Sequence, residues 1–280
     1  MRSLAIVVFV MGCSDGPSSD LDGDGIADDE DACQAGFPDK KVDIDQDFKD
    51  ASVDLCPHDA NAAAGDLDED GIPDSCDPFV GAATPDTRRC ITSFSVRWMN
   101  ASYLEARVGE QAWDLAPPLS ATASENVSIV STLPLDYRTT SFDVLGHATF
   151  ATADETSSFK LWLRAVDTPS DKDVGCGVDG AGNVFVFASN TRQAIRPLPA
   201  PITGPFRMRA SVVAAAPNTP TRATVLCRVT VGDQSIATTL EPAIQPGGRF
   251  GFASAQADIT IDSLVIDTND ATVPFRNHYD

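Results

Sequence analysis

One spacing of aspartate and glycine recurs along the N-terminal part of this 280-residue chain, and it limits the fold more tightly than any other feature. Asp20, Asp22, Asp24, Gly25, Asp28 and Asp31 hold positions 1, 3, 5, 6, 9 and 12 of one loop, with the Ile26 carbonyl at position 7. Asp66, Asp68, Asp70, Gly71, Asp74 and Asp77 repeat the set, with Ile72 at position 7. Alternate aspartates in a short loop turn their carboxylates inward, and the glycine permits the sharp bend. The result wraps a hard cation in oxygen ligands, and calcium is the ion expected. A third copy keeps Asp43, Asp45, Asp47 and Asp54 at positions 1, 3, 5 and 12. It has Phe48 in place of the glycine and Ala51 in place of the position-9 acid, with Asp50 nearby. Lys49 stands at position 7, where only its carbonyl would be used.

The charge follows these loops. Residues 14–89 carry 22 acidic and 5 basic residues, a balance of −17, whereas residues 90–280 carry 19 and 14, a balance of −5. A net charge of −21 argues against nucleic-acid partners, because phosphates need a basic surface. It also disfavours unassisted contact with anionic lipid. Without metal, a segment so acidic and so poor in apolar residues resists folding, so metal binding and folding should be linked.

Residues 1–12 read as a short export signal: Arg2 is the positive start, Leu4 to Met11 the apolar run, and Gly12-Cys13 its close. Val10-Met11-Gly12-Cys13 resembles a bacterial lipobox, which implies lipidation of Cys13 and, with Ser14 after it, outer-membrane sorting. The alternative is an ordinary signal peptide with a fortuitous cysteine. Setting Cys13 aside leaves Cys33, Cys56, Cys76, Cys90, Cys176 and Cys227. Six cysteines in an exported protein allow three disulfides in 15 pairings.

Helix-flanked calcium loops need amphipathic helices, and none is evident: Pro78-Phe79 follows Asp77, and Pro57 follows Cys56. DLDGDGIADDEDAC (20–33), DIDQDFKDASVDLCP (43–57) and DLDEDGIPDSCDP (66–78) instead resemble the thrombospondin type 3 repeat. The resemblance covers about a quarter of the chain, in an expected segment 13–85. It implies backbone wound around calcium with little regular structure, and disulfides between successive repeats. Chain-order pairing would then give Cys33–Cys56, Cys76–Cys90 and Cys176–Cys227; the rival pair Cys56–Cys76 would strand Cys33.

From about residue 86 the composition changes, and residues 86–280 are expected to form an all-β antiparallel sandwich of jelly-roll type. Short runs rich in Val, Ile, Phe and Thr alternate with turn residues. Strands are expected at 91–99, 126–132, 144–152, 158–166, 183–188, 205–214, 222–231, 234–240, 248–254 and 257–266. Period-two patterning puts Phe159, Leu161, Leu163 and Ala165 on one face, with Lys160, Trp162 and Arg164 opposite. Phe206, Met208, Ala210 and Val212 oppose Arg207, Arg209 and Ser211, and Ile259, Ile261 and Val265 oppose Asp258, Thr260 and Asp262. One apolar and one polar face per strand implies two sheets on a shared core. GGRFGFASAQADITIDSLVID (247–267) and GCGVDGAGNVFVF (175–187) resemble strands of concanavalin A-like jelly rolls, including laminin G-like domains.

That resemblance implies either glycan binding or polysaccharide hydrolysis. Paired carboxylates on one strand, as glucanases of this architecture use, are absent: Glu105 and Glu110 are wrongly spaced. A binding or adhesion module is therefore expected ahead of an enzyme, with a structural spacer as a further alternative. Lys160, Trp162 and Arg164 are the candidate sugar contacts, with Trp162 as a stacking platform; the competing expectation is that Trp162 packs beneath a loop under its cationic neighbours.

Overall fold

The computed structural model describes residues 43–50, 54–60, 65–69, 72–80, 88–93, 104–108, 113–114, 118–122, 126–131, 140–165, 173–189, 191–198, 201–214, 223–243 and 249–268. The proposed signal, Cys13, the loop Asp20 to Asp31, Cys33, Asp70 and Trp98 lie outside the described residues.

Among the described residues fifteen strands follow one another: β1 (Arg88–Ser93), β2 (Leu104–Val108), β3 (Trp113–Asp114), β4 (Leu119–Ala121), β5 (Asn126–Ser131), β6 (Thr140–Phe150), β7 (Ser158–Ala165), β8 (Val174–Asp179), β9 (Asn183–Ala188), β10 (Thr191–Pro197), β11 (Pro205–Ala214), β12 (Ala223–Val231), β13 (Gln234–Leu240), β14 (Arg249–Ala255) and β15 (Ala257–Thr268). They form two antiparallel sheets. The eight-stranded sheet runs β13-β12-β11-β6-β15-β4-β3, with β1 also on β15, and the seven-stranded sheet runs β10-β9-β8-β7-β14-β5-β2. The antiparallel sandwich with jelly-roll ordering is as expected. Strands β2, β3, β4, β8 and β10 were not among those anticipated: β3 and β4 are too short to show a period, the Gly-Cys-Gly run of β8 breaks its apolar pattern, and β10 is largely exposed.

Each sheet contains a meander, β7 to β10 in one and β11 to β13 in the other. Their hairpin turns fall where glycine marks them, with Gly182 at φ 80° and Gly232 at φ 56°. Inward residues of both sheets share one core, including Phe142, Phe159, Leu161, Phe252 and Met208, all fully buried. A disulfide between Cys176 on β8 and Cys227 on β12 crosses that core, with Cα atoms 5.5 Å apart. Closing its 51-residue span stabilises the sandwich by roughly 4 kcal/mol through the unfolded chain.

Two bulges overturn parts of the period-two expectation. Trp162 pairs with Gly175 but Arg164 with Val174, so β7 carries an extra residue beside β8. The bulge sends Ala165 to the Trp162 side of the sheet, away from Leu163. It turns Arg164 toward the opposing sheet, where its guanidinium lies 3.5 Å from Thr140 Oγ1. On β15, Ile261 pairs with Gly146 but Ser263 with Leu145. Beyond that shift Leu264 and Ile266 face the core, and Val265 is moved to the outer face.

Candidate functional site

The two described aspartate loops close in the same way, although one lacks the position-6 glycine. Gln46 and Glu69 both hold position 4 and both adopt left-handed backbone, at φ 65° and 61°. Asp54 and Asp77 both hold position 12, and each accepts a hydrogen bond from the backbone N–H two residues on, at Cys56 (2.9 Å) and Phe79 (2.6 Å). Phe48 takes the left-handed conformation of the missing glycine, at φ 74°, and leaves its ring 98% exposed. The bend is strained at this position because φ > 0 is costly for a residue with a side chain.

Asp43, Asp45 and Asp47 bring one carboxylate oxygen each within 4.8 Å of one another. Backbone N–H groups of Asp47 and Phe48 donate to Asp43, at 3.1 and 2.8 Å. Burial, and next the charge of Asp54, push the Asp45 carboxyl above the ordinary range. The Lys49 ammonium lies 3.2 Å from Asp47 Oδ2 and supplies only partial compensation from a largely exposed position. In the second loop, Asp74 accepts from Leu67 N–H at 2.9 Å and its own N–H donates to Gly65 O at 2.7 Å. Asp45 Oδ2 and both carboxylate oxygens of Asp68 are buried with no hydrogen-bond partner. Orphaned anionic oxygens in a crowded acidic loop are the donor set that a calcium ion satisfies, so the residues fit that ion. Asp66 is exposed, and Ile72 is buried beside the loop.

A disulfide joins Cys56 to Cys76, with Cα atoms 5.6 Å apart. This corrects chain-order pairing, which had assigned Cys56 to Cys33 and Cys76 to Cys90. Cys90 instead lies within β1, in register with Ile266. The bridge ties the end of one aspartate loop to the next, so successive loops are pinned to each other.

The pinned segment lies against the outer face of the eight-stranded sheet. The buried His58 places Nε2 2.6 Å from Ser263 Oγ and Nδ1 3.3 Å from Asp143 Oδ1. Arg207 donates to Asp59 and Asp143, and Arg209 donates to the same two carboxylates. Burial pushes the Asp143 carboxyl up, but His58 and Arg207 outweigh it and hold the group well below the usual range. Asp59 is depressed in the same way, by Arg207 and Arg209 against its burial. The displaced Val265 lines a small cavity of about 40 Å³ here with Cys56, Pro57 and His58.

The outer face of the seven-stranded sheet carries the second candidate site. Registers there align Val130–Gly251–Trp162–Gly175–Phe187 across five strands. A Cβ at Gly175 would collide with the Phe187 ring, and one at Gly177 with the Phe185 ring, so the glycines are where these rings lie. Cations cap the aromatic layer: Arg107 stands 4.6 Å over Trp162, Arg192 4.5 Å over Phe185, and Lys160 5.7 Å over Phe187. Trp162 is 8% exposed, so it is a wall under Arg107 and not an open stacking platform. The cation that sequence reading missed is Arg107, which only strand order brings to Trp162.

Beside that layer the next rows are Ser128–Ala253–Lys160 and Asn126–Ala255–Ser158. Small residues on β14 between polar ones on β5 and β7 leave a groove of about 200 Å³. Asn126, Ser128, Ser158, Lys160, Trp162 and Asp173 line it. The Asp173 carboxylate there accepts from Arg107 at 2.9 Å. Of the three candidate sugar contacts, Lys160 and Trp162 meet at the groove and Arg164 does not.

No family model matches the chain, and no curated protein matches it. Among solved structures the chain is similar to the carbohydrate-binding module CBM66 from Bacillus subtilis, at 13% identity over 59% of this chain and 96% of that one, with a TM-score of 0.42. It is also similar to lectin UEA-II complexed with galactose, at 8% identity over 66% and 100%, TM-score 0.46. A third likeness is to the Ca2+/Man3GlcNAc-bound exoplasmic/lumenal domain of VIP36, at 11% identity over 65% and 90%, TM-score 0.46.

Proposed function

We propose that this chain is an exported, calcium-binding surface protein whose β-sandwich binds a glycan in the groove over β14. The groove is the observation that carries the reading. It joins apolar surface at Trp162 and Ala253 to hydroxyl, amide and ammonium groups at Ser128, Ser158, Asn126 and Lys160. Sugars present that same mixture, with C–H faces flanked by hydroxyls. Binding is favoured over hydrolysis because glycosidases need two carboxylates across the bond. The groove lining holds one, Asp173, and Arg107 already pairs with it. The aspartate loops bind calcium in the manner of thrombospondin type 3 repeats; the shared left-handed position 4 and the orphaned Asp45 and Asp68 oxygens support this. Lipidation at Cys13 places the protein at a bacterial outer membrane.

Filling the groove tests the glycan reading. Ala253→Leu puts a branched side chain on the floor without touching the core, and glycan-array binding by the wild type should vanish in the variant. Binding that survives in full places the ligand elsewhere. Trp162→Ala is a poor test because it opens a cavity in a buried layer. Calorimetric titration checks calcium, and the mass of the mature N-terminus checks Cys13.

A further inference from the structure

We infer that the saccharide taken by this groove is acidic, and that Lys160 and Ser128 together recognise its carboxylate or sulfate. The inference rests on the glycan reading above and adds the ligand's chemical class. Three cations sit over the aromatic layer of the seven-stranded sheet, and two already have carboxylates. Arg107 is paired with Asp173 at 2.9 Å, and Arg192 with Asp179 at 2.7 Å. Among the described residues the Lys160 ammonium has no hydrogen-bond or ion-pair partner, and it stands 5.7 Å over the Phe187 ring. Burial, and then repulsion from Arg192, lower its pKa, so an anion brought beside it would stabilise the ammonium form.

Ser128 is the second, independent observation. It is 3% exposed, and its hydroxyl has no hydrogen-bond partner. Buried polar groups are nearly always satisfied, and those that are not mark a place for a missing partner. Ala253 pairs with Ser128 on one side and with Lys160 on the other, so the two unsatisfied donors flank one methyl group on the groove floor. Both line the groove. An oxyanion seated over Ala253 would accept from both, while the sugar ring to which it belongs lies along the groove. A neutral sugar would leave the ammonium uncompensated.

The test is calorimetric titration of the full chain with trigalacturonate, its methyl ester, a neutral galactotriose and a sulfated galactose oligosaccharide. The acidic sugars should bind at least about tenfold more tightly than the ester, the span expected for one charge-assisted contact. Lys160→Gln should bring the acidic sugars down to the ester's level, and Lys160→Arg should keep most of the difference. Whichever acidic sugar binds more tightly identifies carboxylate or sulfate as the group read. Equal affinity for trigalacturonate and its ester, together with equal affinity for the sulfated and the neutral galactose oligosaccharides, overturns the inference. So does acidic-sugar binding that survives Lys160→Gln, including any bridged by calcium to the aspartate loops. Neutral-sugar binding that is lost in Ala253→Leu but indifferent to Lys160 keeps the glycan site and removes its acidic ligand. Silence toward every sugar removes both. Should Lys160→Gln fail to fold, the ester comparison on the wild type still decides.

Discussion

At the scale of single residues, carboxylates and guanidinium groups pair closely where residues 58 and 59 meet the eight-stranded sheet. Asp143 and Asp59 share Arg207 and Arg209, and both carboxyls are depressed in the folded chain. Their contribution is therefore present above the unfolded carboxylate pKa of about 4 and is lost as the pH falls through the folded values. Residues 54–60 should gain amide hydrogen exchange below about pH 4 while the sandwich stays protected. Asp143→Asn should cost roughly 3 kcal/mol in chemical denaturation, because it removes the carboxylate that Arg207, Arg209 and His58 share and leaves Asp59 alone to the two guanidinium groups. Asp45 has the opposite sign. Its raised carboxyl means that the metal-free loop is favoured by protonation and loses that contribution as the pH rises. A calcium ion bound there would remove the conflict by neutralising the cluster. Phe48 is strained by its positive φ and gains nothing from a fully exposed ring. Phe48→Gly should stabilise the calcium-bound loop by about 1 kcal/mol, read as tighter calcium binding in a titration.

At the scale of elements, small residues and bulges decide what each strand offers. Strand β14 alternates Phe250 and Phe252 with Gly251, Ala253 and Ala255; Phe252 enters the shared core, while the small residues leave the groove open. The Gly-Cys-Gly run of β8 works in reverse: Cys176 crosses the core, and Gly175 and Gly177 let two phenylalanine rings lie flat outside. Gly175→Ala should destabilise by at least about 2 kcal/mol, measured by urea denaturation, because its Cβ meets both the Phe187 ring and the Leu161 carbonyl. The bulges on β7 and β15 relocate Ala165, Arg164 and Val265. A period-two pattern holds along a strand only while the register does, and a bulge leaves almost no mark in sequence.

At the scale of the whole molecule, two disulfides hold different assemblies. Cys176–Cys227 locks sheet to sheet, and Cys56–Cys76 locks one aspartate loop to the next. Replacing Cys176 and Cys227 with alanine should lower the stability of the sandwich by roughly 4 kcal/mol in denaturant. Chelation should act elsewhere: residues 43–80 should become open to proteolysis while residues 140–268 resist, because the sandwich core shares no aspartate loop. The outer face of the eight-stranded sheet is engaged by His58 and Asp59 through Ser263, Asp143, Arg207 and Arg209. The opposite outer face, on the seven-stranded sheet, keeps the open groove.

The sequence alone determined where the aspartate loops lie and the class of the fold. Both are written in local spacing: carboxylates every second residue around a bend, and apolar residues every second residue along a strand. Even the copy with Phe48 in place of glycine kept enough of its spacing to be recognised. Tertiary structure alone decided which cysteines met, which strands bulged, and which groups were left unsatisfied. Cys56 could reach either neighbour until the loops were wound. Arg107 is 55 residues from Trp162, and Ser128 is 32 from Lys160. Such partners meet through strand order and register, which depend on packing across the whole sandwich and not on any short run of residues.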